Sequence, residues 1–145
     1  MESILKPRPV PHPVYANVPG SRARRRAGAV MAGLAILFLL VDSVGKLIPI
    51  PSVVEFTVQL GYPESSVRTI GIILLVCLIL YVVPRTSVLG AILLTGYLGG
   101  AVATQLRVGS PLLSSTLFPV YIGVLIWGGL ILREDRLRAL IPLRR

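Results

Sequence analysis

Apolar residues fall along this chain in four long runs separated by short polar breaks. The runs cover about residues 27–47, 67–83, 87–106 and 117–132. A helix of about 20 residues, rising about 1.5 Å per residue, crosses a hydrocarbon core of roughly 30 Å; the second and fourth runs sit at the short limit. The third run, Ser87 to Leu106, contains no charged residue. The breaks carry turn chemistry. Pro84-Arg85-Thr86 ends the second run near Val83, because the residue before a proline avoids the α region. Gly109-Ser110-Pro111 separates the third run from the fourth, where Pro119 suits a first helical turn whose N–H has no helical partner anyway. Between Pro51 and the break Gly61-Tyr62-Pro63, the residues Val53, Val54, Phe56, Thr57 and Leu60 suit a short interfacial helix. The pattern predicts an all-α, integral membrane four-helix bundle.

Composition agrees. Hydrophobic residues make up 54% and charged residues 14% of the chain, against about 45–50% and about 25% in soluble domains. The runs leave no room for a second, soluble domain. Residues 1–26 read as a Pro- and Arg-rich tail, extended or disordered, since Pro7, Pro9, Pro11, Pro13 and Pro19 forbid a regular helix. The first run is too long for a cleavable signal core and reads as an uncleaved span. Residues 133–145 form a second basic tail.

The net charge of +9 raises the question of nucleic acid, but the bases flank the apolar runs, where topology determinants belong. No nucleic-acid partner is expected; the lipid bilayer is. Four spans put both termini on one side. That side carries 12 of the 15 Lys and Arg residues, and only Lys46, Arg68 and Arg107 fall on the other. The positive-inside rule then places both termini in the cytoplasm of a multi-pass cell-membrane protein.

Asp42 and Lys46 stand four apart near the end of the first run, in the favourable acid-before-base order. Ionisable groups at that depth are costly and often functional, although a self-neutralising pair with Lys46 snorkelling to water is the plainer reading. The topology brings Asp42, Lys46, Arg68, Thr104, Gln105 and Arg107 to one end, from three segments. With Tyr97 they outline an outward-opening polar pocket; separate interfacial anchoring explains each residue singly. Gly96, Gly99 and Gly100, with Ala103 and Thr104, form a small-residue stripe suited to close helix packing. Tyr121 and Trp127 read as packing residues or interfacial anchors. Cys77, the only cysteine, lies within an apolar run and reads as a buried thiol. His12, the only histidine, lies among prolines. No triad, zinc set, phosphate loop or haem-binding His pair can be assembled, so no catalytic or metal-binding residue is assigned.

Several separated motifs fall in an order that resembles the DoxX-like membrane proteins. They are Gly45-Lys46-Leu47, Pro51, Phe56 and Leu60-Gly61-Tyr62-Pro63; Pro84-Arg85-Thr86 with Leu89-Gly90-Ala91; Leu94 through Thr104 with Arg107; and Trp127 and Gly129 before the basic tail. The resemblance covers about residues 30–142 and implies a four-helix integral membrane protein. Relatives often carry His where this chain has Gln105, and many carry an acidic residue in the second span, where this chain reads Ile72-Ile73-Leu74-Leu75. It further implies a setting in quinone-linked or other membrane oxidoreductase complexes, or in membrane-protein assembly.

Three functional classes stay open. The first is an accessory or scaffold subunit with other membrane proteins as partners. The second is a quinone- or small-molecule-binding component, with an apolar cleft and Lys46, Gln105 and Tyr97 as its polar groups. The third is a small transporter, which would normally show internal repeats or broken midplane helices that this sequence lacks.

Overall fold

The chain is rich in Leu, Ile, Val and Ala between its Pro and Gly breaks, and each apolar run becomes one helix. A computed structural model describes residues 21–48, 50–135 and 137. Five α-helices follow in order: α1 (Ser21–Leu47), α2 (Pro51–Gln59), α3 (Glu64–Val82), α4 (Ser87–Arg107) and α5 (Phe118–Arg133), with a π-helical turn at Leu112–Thr116 leading into α5. Among the described residues four helices are long and apolar enough to cross a membrane, the last counted from Leu112. They cover Arg22–Leu47, Glu64–Val82, Ser87–Arg107 and Leu112–Arg133. The short interfacial helix is α2, with Pro51 in its first turn and Ile50 extended before it.

One boundary moves. Residues 21–26, expected to belong to the tail, are the first turns of α1. No proline follows Pro19 there, and Arg and Ala are strong helix formers. The expected Pro-rich stretch with His12, Lys6 and Arg8, as well as Pro49, Arg136, Arg138, Arg144 and Arg145, lies outside the described residues.

The helices run antiparallel around the bundle in the order α1, α3, α4, α5, each packed on two neighbours. One end collects the start of α1, the α3–α4 turn and the end of α5. There Arg24 and Arg25 reach the Asp135 carboxylate at 3.1 and 3.2 Å. The other end, here the loop end, collects the end of α1, α2, the start of α3, the end of α4 and the π-helical turn.

The apolar core fills the middle of the bundle and its arginine half. Ala32, Ala35, Leu39, Leu74, Leu78, Tyr81, Ala91, Leu94, Ile126 and Leu130 are buried there. Tyr81 donates its hydroxyl to the Ile126 carbonyl at 2.9 Å, so its polar tip is satisfied inside the core. Val30, Leu34, Val41, Ile72, Val76, Ile79, Ile92 and Val124 are exposed instead. In water that surface would be a severe liability; in a bilayer it is the lipid-facing shell.

Close helix approach occurs at glycines other than those expected. A Cβ on Gly28 or Gly129 would collide across the α1–α5 crossing, with Leu132 Cβ at 2.7 Å and Ala32 N at 2.8 Å respectively. One on Gly71 would meet Lys46 Cβ of α1 at 2.8 Å, and one on Gly90 would run into the backbone of Leu80 and Tyr81. At Gly96, Gly99 and Gly100 a Cβ would meet nothing within 4 Å. The small-residue stripe of α4 therefore packs against no helix of this bundle. Its spacing is real, but Gly96 and Gly100 border open space.

Candidate functional site

That open space is a cavity of about 760 Å³ at the loop end, between the splayed ends of the four long helices and under α2. The cavity exists because α4 offers no side chain at Gly96 and Gly100 just where α1 and α5 present Phe38 and Phe118. Those two rings meet edge to face, with centroids 4.9 Å apart, a favoured aromatic geometry. Phe56 of α2, Ile70 and Ile73 of α3 and Ile122 of α5 complete a mostly apolar lining. A volume of this order suits a drug-sized ligand, and apolar walls with few polar groups are the usual makeup of such sites.

The polar groups enter from three directions. On α1, Lys46 donates to Asp42 at 2.5 Å, a self-neutralised pair whose side chains are 13% and 30% exposed. On α4, the Thr104 hydroxyl donates to the Gly100 carbonyl at 2.9 Å and lies 2.8 Å from the Tyr62 hydroxyl, so Tyr62 is the donor of that second bond. Gln105, also buried, accepts at Oε1 from the Ser110 hydroxyl at 2.6 Å. Among the described residues the Gln105 Nε2 and the Tyr97 hydroxyl have no hydrogen-bond partner. The cavity thus offers two unused donors beside a neutral ion pair.

The predicted pocket residues divide accordingly. Asp42, Lys46, Tyr97, Thr104 and Gln105 line the cavity. Arg68 does not; it is exposed and borders a smaller recess with Lys46, Glu64 and Ser65. Arg107 does not either: its guanidinium turns outward to the Leu60 carbonyl at 2.9 Å. Both arginines follow the ordinary preference of a long cation for the membrane edge. Sequence reasoning missed Tyr62, Thr57, Phe38, Phe56 and Phe118 as lining residues. In the sequence Tyr62 stands out only as part of a helix break and of a family motif.

Trp127 packs against the core. Its indole donates to the Thr95 hydroxyl at 2.9 Å, joining α5 to α4 one residue from Gly96. Tyr121 is exposed, near the Leu113 carbonyl. Cys77 is buried, as expected.

Four apolar spans, an antiparallel ring and a cavity open at one end define a small multi-pass membrane protein of the four-helix class. The chain belongs to the DoxX-like family, whose pattern it matches over residues 30–129. No curated protein and no solved structure matches it.

Proposed function

We propose that this protein is an accessory component of a membrane complex that holds a neutral amphiphile of the quinone class in the loop-end cavity. The observation that carries this reading is the pairing of about 760 Å³ of largely apolar space with two unpartnered donors, Tyr97 O–H and Gln105 Nε2. Ring carbonyls accept such donors, and the aromatic and aliphatic lining takes the ring and its chain. Asp42 and Lys46 neutralise each other, so a charged head group finds no unpaired counter-charge within the cavity. A bound quinone would supply electron and proton carriage, while this chain's own residues bind, orient and shelter it. The sequence offers no catalytic constellation of its own, which favours the accessory role over an autonomous enzyme. The arginine-rich end belongs in the cytoplasm by the positive-inside rule, so the cavity opens outward.

Trp127 is the only tryptophan and hydrogen-bonds beside the cavity, so it serves as the reporter. Titration with a short-chain benzoquinone should quench its fluorescence saturably. Gly100→Leu places a side chain into open space and should abolish the effect. Tyr97→Phe with Gln105→Leu should weaken it about tenfold, the weight of two modest hydrogen bonds. Linear, non-saturable quenching that Gly100→Leu leaves unchanged would reject the site.

A further inference from the structure

The cavity has a roof, and the roof is weakly attached. Resting on the reading of the cavity as a ligand site, we propose that α2 is a hinged lid over its mouth, held shut by a two-part latch from the last turns of α4. Ser52, Val53, Phe56, Thr57 and Leu60 of this segment face the cavity. Yet within α2 only Thr57 is fully buried, and Phe56 and Val58 are 53% and 46% exposed. Among the described elements α2 packs on α1 and α3 alone, and a nine-residue helix with so few packed neighbours is the kind of segment that opens locally at low cost.

The N-terminal end of the lid suits a hinge, and the C-terminal end is the one the latch holds. Pro51 starts α2 after the extended Ile50, which breaks continuity with α1. At the other end Gly61 holds φ +87°, a conformation that favours glycine. Closure is held from outside the lid. Arg107 donates to the Leu60 carbonyl across 47 positions of chain, and Tyr62 donates to Thr104 across 42. Arg107 and Thr104 share the end of α4, itself fixed by the bundle. Gly61 belongs to the same device: a Cβ there would lie 2.9 Å from the Arg107 guanidinium. The Arg107 bond is exposed, so water and lipid head groups compete for it. The latch is weak enough to release, and the ligand enters at the membrane interface rather than through the packed core.

Site-directed labelling in nanodiscs tests the lid without any ligand. Cys77→Ala removes the native thiol, and Gly100→Cys then places a single probe thiol in the cavity, with Gly96→Cys as a second site. Arg107→Ala and Tyr62→Phe should each raise the maleimide labelling rate about fivefold, the weight of one exposed hydrogen bond. Gly61→Ala should do the same, and labelling at a Gly99→Cys control should not change. Equal rates in the parent and all latch variants would overturn the lid. Protection of the Gly100→Cys thiol by a fully ring-substituted short-chain benzoquinone, which leaves no open ring position for thiol addition, and its loss on washing out the quinone separate the two ideas. Protection with unchanged rates rejects the lid and keeps the ligand site; faster labelling without protection rejects the quinone and keeps the lid.

Discussion

A single methyl group distinguishes the two kinds of glycine on α4. In Gly90→Ala the new Cβ would lie 2.6 Å from the Leu80 carbonyl carbon, with the Tyr81 backbone closer still. Carbon pairs sit comfortably at about 3.5–4.0 Å, so α3 and α4 must part by about 1 Å. Backbone atoms have no rotamer by which to step aside. Overpacking of this kind costs about 1–3 kcal/mol, and a gap of that size forfeits a quarter to a half of each contact along the seam. Alanine returns up to about 1 kcal/mol through its better helix propensity, leaving a net loss of about 0–3 kcal/mol. Gly99→Ala makes the same chemical change on the same helix, but its Cβ meets nothing within 4 Å. Only the propensity gain remains, about 0–1 kcal/mol of stabilisation. The propensity gain is common to both, so the two variants should differ by the overpacking cost, about 1–3 kcal/mol. Denaturant titration in mild detergent, read by Trp127 fluorescence, measures the gap. Equal midpoints, or Gly99→Ala the weaker variant, would refute the assignment of the α3–α4 seam to Gly90.

Other outcomes follow from the same geometry. Asp42→Asn leaves the Lys46 ammonium, 13% exposed, without its partner and should cost about 1–3 kcal/mol, while Asp42→Asn with Lys46→Met recovers most of it; the same titration compares them. Asp135→Asn should change stability by no more than about 0.5 kcal/mol, because Arg24, Arg25 and Asp135 are 38%, 63% and 57% exposed and solvent screens the pairs. Tyr81→Phe removes a buried hydrogen bond to Ile126 and should lower the midpoint by about 1 kcal/mol. Thr95→Val removes the acceptor of the Trp127 indole and should blue-shift tryptophan emission with a stability loss of about 0.6 kcal/mol, the scale of an interhelical bond in a membrane.

Much of the fold was legible because bilayers impose a simple rule. Backbone polar groups must be satisfied within each span, so uninterrupted apolar runs become helices and Pro or Gly breaks end them. Pro84 and Pro119 mark their turns as predicted, and α2 lies where the apolar residues between Pro51 and Gly61 placed it. Topology alone also brings the segment ends with Asp42, Lys46, Thr104 and Gln105 to one end of the bundle, whereas Tyr97 stands at the middle of α4.

Facing was not legible. Four-residue spacing puts Gly96 and Gly100 on one stripe but does not say whether that stripe meets a helix or a void; here it meets a void, and the close crossings fall to Gly28, Gly71, Gly90 and Gly129. Nor does spacing reveal long-range partners. Arg107 looked like a pocket cation, yet its guanidinium binds a carbonyl 47 residues away. Tyr62, in a loop with no periodicity, becomes a lining residue only through its bond to Thr104.

Native mass spectrometry of the full chain, released from its own membranes in mild detergent, addresses the occupant of the loop-end cavity most directly. A stoichiometric adduct of quinone mass on the wild type, lost in Gly100→Leu, is the predicted result. Wild-type protein that carries no such adduct, or carries one that Gly100→Leu retains in full, would contradict it.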